Sequence, residues 1–388
     1  MTIDSIAPAE SPVASVPSAP LRQRLGRSDA VRFIGPLVVA IVAIILYTNA
    51  GNARFLSADN VENIVLQVSV LGIIAIGQTF LIAAGLLDLS VGSLAAMSGV
   101  IGATLVSDGS TELIAVGLVL VIGVVIGVIW GLLVAGLRIP PFILTLGGAS
   151  VFASIALRIS KSSPVPVRDR FEWLGRQDVF GLQTPIWFFL IVTAVAAFVM
   201  RYTRFGRHVY AVGSNEDAAY LTGIPTARTK VICFVISSGL SGFAGLVAMA
   251  RISTGDPRVG SQLALQAIAA VVLGGATLAG GRGSPIGTFF GVLLLGVVQS
   301  ALTFNNVPTF WNDAVFGSVL IFAVVVTAIG DLRRRRRRAP PGPGSSEVST
   351  ARAEPNRPGD HRSDDRQSHK SSTQDHQPED TNQRGATT

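Results

Sequence analysis

The strongest constraint on this chain is where its charged side chains are missing. Between Arg32 and Asp331 they leave ten charge-free windows of 17 or more residues: 33–53, 63–87, 89–107, 113–137, 139–157, 179–200, 231–250, 259–281, 283–312 and 314–330. A helix crosses the hydrocarbon core of a bilayer with roughly 20 apolar residues, so each window is close to one span in length. Backbone groups in hydrocarbon must be satisfied within the structure that crosses it, and the windows lack the two-residue alternation of a membrane barrel, which leaves helices. The sequence therefore predicts an all-α integral membrane protein with about ten transmembrane helices. Only 14% of the 388 residues are charged, against about 25% in soluble domains, which excludes an ordinary water-soluble enzyme.

The net charge of +7 is an orientation signal rather than a nucleic-acid footprint, because cytoplasmic flanks of membrane helices collect Lys and Arg. With the N-terminus in the cytoplasm, the inside flanks hold seventeen basic residues, including Arg138, Arg201, Arg204, Arg207, Arg282 and the run 333–338, and the outside loops hold eight. Both termini are then cytoplasmic. Residues 1–32 contain no apolar stretch of signal-peptide length before the first span. The expected domains are a largely disordered N-terminal segment (1–32), a transmembrane domain (33–331) with a cytoplasmic segment at 201–230, and a basic stop run with a disordered tail (332–388), whose polar composition cannot bury a core. Within 201–230, the stretch NEDAAYLTGI (215–224) reads as a short helix lying outside the membrane.

Several chemistries are excluded by what is missing. None of the three lysines (Lys161, Lys230, Lys370) follows a glycine, so there is no phosphate-binding P-loop. GLSG at 239–242 offers a serine, but all four histidines lie outside the apolar windows, so Ser241 has no base and is assigned to helix packing. Cys233 stands alone, which excludes an internal disulfide, and no metal site or cofactor is expected. Two stretches, GLLDLSVGS (85–93) and GGATLAGGRGS (274–284), interrupt apolar segments in the two halves of the chain, and they read either as an internal repeat around a binding region or as two Gly-containing turns. Asp88 either caps the helix that begins near Leu89 or faces a transported solute.

GQTFLIAAGLLDLSVGSLAAMSG (77–99), IPPFILTLGG (139–148), FGRHVYAVGSNEDAAYLTGI (205–224) and AIAAVVLGGATLAGGRGSPIGTFFG (267–291) resemble the membrane permeases of ribose- and xylose-type ABC sugar importers. The resemblance covers about residues 35 to 330. It implies a non-enzymatic permease of a bacterial cytoplasmic membrane, working as a pair, expected to be a homodimer. The implied partners are cytoplasmic ABC ATPase subunits and an extracytoplasmic sugar-binding protein. The resemblance places Gln78, Thr79, Asp88, Ser90 and Ser93 on the translocation path of a monosaccharide or similar small polar solute. It places Glu216, Asp217, Ala218, Ala219 and Gly223 on the helix that engages the ATPase, with Ala218 and Ala219 forming a small face that enters a cleft. Arg282 either touches the ATPase or only obeys the charge rule. One departure concerns the solute: the family commonly carries an acidic pair before AIAA, and this chain has Ala264 and Gln266 there. Gln266 joins the path candidates. The rival solutes are branched-chain amino acids, and the rival mechanism is ion-coupled secondary transport. Both call for charges near the path that the windows do not supply.

Overall fold

The protein is described here from a computed structural model, which covers residues 29–51, 53–308 and scattered positions from 310 to 325. The expected span at 314–330, most of the expected N-terminal segment and the whole tail from 332 onward lie outside or largely outside these described residues. In chain order, α1 (Asp29–Gly51) leads to a single 3-10 turn, then α2 (Ala58–Ala83), α3 (Val91–Ser107), α4 (Glu112–Gly136) and α5 (Pro141–Ile159). A connecting stretch holds β1 (Val165–Pro166), the one-turn helix α6 (Glu172–Gly175) and the hairpin of β2 (Asp178–Val179) with β3 (Leu182–Gln183). There follow α7 (Thr184–Tyr202), α8 (Arg204–Ser214), α9 (Glu216–Leu221), α10 (Thr226–Ile252), β4 (Thr254–Gly255), α11 (Leu263–Leu273) and α12 (Pro285–Phe304). β4 pairs antiparallel with β1.

Local chemistry sets the helix starts. Ser57, Thr111, Thr203, Asn215 and Ser284 each accept a backbone N–H of the turn they precede, which satisfies donors the helix cannot use itself. Pro141, Pro185 and Pro285 stand in the first turns of α5, α7 and α12, where no backbone donor is needed.

Among the described residues, seven helices are long and apolar enough to cross a membrane: α1, α2, α4, α5, α7, α10 and α12. They divide by burial. α2 is buried at every position from Val68 to Ala83 and, with α10, forms the centre of the bundle. α4 buries one strip, Ala115, Val119, Gly123, Gly127, Gly131 and Val134, and turns Leu118, Val121, Val125, Ile129 and Leu132 outward. An apolar side chain on the outer face of a membrane helix meets lipid rather than water, so this exposure carries no hydrophobic penalty. The buried strip follows a four-residue period because α10 lies directly on it. A Cβ on Gly127 would come within 2.5 Å of Val235 Cα, and one on Gly131 within 2.6 Å of Val231 Cα. Small residues at this spacing let two membrane helices approach backbone to backbone.

Two of the expected spans form helices shorter than these seven. α3 has 17 residues and α11 has 11, about 26 and 17 Å at 1.5 Å per residue. The window 259–281 is thus not one crossing helix. Its first residues form successive turns, Val259 N to Asp256 O, Ser261 N to Arg258 O and Leu263 N to Gly260 O, and its last follow α11 as an irregular turn to α12. The cause is close packing: a Cβ on Gly255 would lie 2.9 Å from Gly99 O, and one on Gly260 would overlap Gly92 O. Residues 255–260 therefore run back along α3, in contact with its backbone, before α11 begins.

Candidate functional site

α2 ends in a reversal. Gly85 adopts a positive φ of 76°, Leu86 N donates back to Leu81 O across 2.8 Å, and the chain re-enters the bundle as the irregular segment 86–90. Buried backbone outside a helix needs partners from elsewhere, and side chains of α5 and α2 supply them, while α4 holds a side chain of the segment. From α5, Thr145 Oγ1 accepts Leu89 N at 3.1 Å while donating to Pro141 O at 2.9 Å. From α2, Gln78 Nε2 donates to Asp88 O. From α4, Trp130 Nε1 donates to Ser90 Oγ at 3.2 Å. Asp88 Oδ1 accepts both Ser90 N at 2.7 Å and Ser90 Oγ at 2.6 Å. Ser90 N lies ahead of α3, which begins at Val91 with no side-chain cap, so this bond closes a turn before the helix rather than capping it.

The six path candidates separate into three groups. Gln78, Asp88 and Ser90 belong to the network just described and are fully buried. Asp88 Oδ2 and Gln78 Oε1 have no protein hydrogen-bond partner. Thr79, also fully buried, turns to the other side of α2: its hydroxyl donates to Ala75 O at 2.8 Å and lies 2.8 Å from Thr288 Oγ1 on α12. Ser93 and Gln266 are half-buried and sit in the first turns of α3 and α11, next to the meeting point of Gly92 and Gly260. The start of α3, preceded by the break at 84–90, thus meets the lead-in to α11. Trp130, Thr145 and Thr288 were not singled out from the sequence. Each is a polar group in a charge-free window, a signal that calls for a buried partner but does not say which.

At the end of the bundle where α2 stops, three segments converge. Gly281 N donates to Ala83 O at 2.9 Å, and a Cβ on Gly213 of α8 would overlap Ala83 O. Tyr210 Oη of α8 donates to Gly283 O at 2.7 Å, and burial pushes its hydroxyl up to about 12. The interruptions at 85–93 and 274–284 therefore lie against one another. α9 follows on this end. Asn215 Oδ1 caps it through Ala218 N at 2.9 Å, Gly223 closes it with φ 82°, and Glu216 pairs with Lys230 Nζ at 2.5 Å. Ala219 is turned inward and only 4% exposed. It does not share an outward face with Ala218. The exposed apolar groups are instead Tyr220 and Leu221, at 70% and 83%.

Among the described residues there is no cluster of His, Cys, Asp or Glu able to hold a metal. Ser241 is buried, with its hydroxyl donating to Ser237 O of its own helix at 2.8 Å.

Comparison with known proteins identifies the family. Residues 60–324 match the family described as the branched-chain amino acid transport system permease component. The chain is 36% identical over 294 residues to the ribose import permease of Escherichia coli strain K12, covering 74% of this chain and 92% of that one. It is 35% identical over 330 residues to the L-arabinose ABC transporter permease of Azospirillum brasilense, covering 85% and 96%. It is 36% identical over 309 residues to an inner membrane ABC transporter permease of Escherichia coli strain K12, covering 76% and 92%. No solved structure matches it. With its helices crossing repeatedly, its polar groups gathered at a break inside the bundle, and relatives of this kind along nearly their full length, the chain belongs to the branched-chain amino acid transport system permease family, as a non-catalytic, multi-pass ABC transporter permease of the inner membrane.

Proposed function

We propose that this chain forms the translocation path of an ATP-driven importer for a monosaccharide or similar small polar solute. The carrying observation is the meeting of the α3 start with the α11 lead-in at Gly92 and Gly260, where the flanking polar side chains Ser93 and Gln266 are uncharged. Non-helical backbone at membrane depth is tolerated where it is held by protein or lines a path, and transporter sites recur at interrupted helices. Uncharged hydrogen-bonding groups suit a neutral sugar, which must bind weakly enough to leave. In this reading Ser93 and Gln266 face the solute, and Gln78, Thr79, Asp88 and Ser90 hold the walls behind them.

The remaining assignments follow from the same reading. Both termini and α8–α9 face the cytoplasm. α9, with Glu216, Asp217, Ala218 and Gly223 around the exposed Tyr220 and Leu221, is the coupling helix that docks on ABC ATPase subunits. The inward Ala219 seats it against the bundle. A second copy completes the path, an extracytoplasmic binding protein delivers the solute, and the interruptions at 85–93 and 274–284 belong to an internal repeat. With α3, the broken segment formed by the 255–260 lead-in and α11 together, and the segment at 314–330 counted, the chain makes about ten passes.

The test is uptake by proteoliposomes containing this chain, its ATPase and its binding protein, with labelled ribose and L-arabinose outside and ATP within. ATP-dependent accumulation of a sugar is expected. Accumulation of leucine in place of sugar would reassign the solute, and uptake by this chain alone under a proton gradient would replace the mechanism.

A further inference from the structure

We propose that a basic cavity between α7, α8 and the turn entering α12 binds the phosphate of an anionic phospholipid. The cavity measures about 400 Å³. Three guanidinium groups line it from three separate segments: Arg201 at the end of α7, Arg207 on α8 and Arg282 on the turn. No acidic side chain is among the described residues that line it, and none of the three arginines forms a described ion pair. The Arg201 guanidinium lies over the Tyr202 ring, 5.6 Å from its centroid. Three like charges around one space favour an anion between them, and guanidinium is the side chain best matched to phosphate oxygens.

The apolar part of the lining says which phosphate. Ala197, Met200 and Ile286 also border the cavity, and Ile286 is 45% exposed. One turn before Arg201 on α7, Phe198 is exposed and apolar. A ligand that fills the cavity is anionic at one end and apolar at the other. A phospholipid meets both demands, whereas inorganic phosphate meets only the first. The wall between α8 and the turn is fixed by the Tyr210 hydroxyl bond to Gly283 O, so the arginines are held at the level where α7 and α12 leave the bilayer. Basic pockets between membrane helices hold lipid headgroups on this principle. The inference needs only that α7 and α12 cross a membrane, and it stands apart from the solute and from ATPase coupling.

The full chain, purified in neutral detergent, is titrated with phosphatidylglycerol, phosphatidylcholine or inorganic phosphate, with binding read by native mass spectrometry and by thermal shift. Phosphatidylglycerol is expected to bind and stabilise, and phosphatidylcholine is not. Arg207→Gln and Arg282→Gln should each weaken phosphatidylglycerol binding about fivefold, the effect of one basic residue near an anionic surface. Arg228→Gln, an exposed arginine at the start of α10 outside the cavity, should change nothing. Arg282→Lys should restore part of the loss and shows that the fold is intact. Equal binding of the two lipids, or an Arg228→Gln loss as large as the others, overturns the site. Displacement of phosphatidylglycerol by millimolar inorganic phosphate, with the same arginine dependence, overturns the lipid and leaves a soluble anion as the ligand.

Discussion

The Trp130 indole nitrogen donates to the Ser90 hydroxyl across 3.2 Å, joining the middle of α4 to the break between α2 and α3. The indole reaches that far because α5 makes room for it: a Cβ on Gly148 would overlap the ring, and Phe152 packs against it with centroids 5.8 Å apart. Replacing Trp130 by Phe keeps an aromatic ring and deletes the donor, which should cost about 1 kcal/mol. Trp130→Ala also opens a cavity and should cost about 3–5 kcal/mol. Thermal unfolding of the purified chain in detergent compares them. If both variants melt with the parent, the indole does not brace the break.

Asp88 offers a sharper test, since it is both acidic and part of that brace. Its Oδ1 accepts two hydrogen bonds from Ser90 while its Oδ2 has no protein partner. Asparagine can keep the accepting oxygen and remove the charge. Asp88→Asn is therefore expected to retain most ATP-dependent sugar uptake, and Asp88→Ala, which strands a buried backbone donor at a cost of about 1–3 kcal/mol, should lose it together with stability. Loss of uptake in a normally stable Asp88→Asn protein would mean that the charge itself serves transport.

The membrane windows were legible in the sequence because charge in hydrocarbon is expensive, so an absence of charge marks helix after helix. The window at 259–281 misled for a physical reason. Hydropathy reports whether a residue avoids water, and Gly260 avoids it by packing on Gly92 rather than by continuing a helix. Apolar backbone buried in protein and apolar helix buried in lipid look alike on that scale. Asp88, Ser90 and Gln78 were likewise visible as polar residues in apolar surroundings. Trp130, the partner of Ser90, and Thr145, the partner of Leu89, lie 40 and 56 residues away along the chain, and no local pattern carries a pairing of that range. The inward turn of Ala219 was not legible, because composition shows a small residue on a short helix without showing which way it points.

The α4 glycines give a paired prediction. Gly127 lies against Val235 of α10, whereas a Cβ on Gly117, on the same helix, would meet nothing within 4 Å. Gly127→Ala should push the two helices apart and cost about 1–3 kcal/mol as an overpacked contact. Gly117→Ala gains helix propensity and should leave stability equal or slightly higher. Equal melting temperatures for the two variants would show that the α4–α10 contact yields freely.

Tyr210 predicts a pH dependence. Burial raises its hydroxyl from 10.0 to about 12, so the folded chain holds that proton more tightly than the unfolded chain does. Its contribution to stability is then full below pH 10 and is lost as pH rises through 12. In an alkaline titration followed by tyrosinate absorbance, one of the four tyrosines should ionise late, and the late step should be missing in Tyr210→Phe. A single step near pH 10 in both proteins would mean that the Gly283 contact is solvated.

Coupling through α9 is tested best at the residues the helix presents outward. Tyr220 and Leu221 are 70% and 83% exposed at the tip of a six-residue helix, where burying two large apolar side chains against a partner is worth about 1.5–3 kcal/mol each. Changing both to Ala removes that surface without disturbing the Asn215 cap or the Glu216–Lys230 pair that fix the helix. The double variant should melt with the parent yet retain its ATPase poorly on co-purification, with solute-stimulated ATP hydrolysis falling in step. Ala219→Glu, by contrast, forces charge into the buried seat of α9 and should lower the melting temperature as well. Intact ATPase retention by the double variant would move the docking surface elsewhere on this end of the bundle.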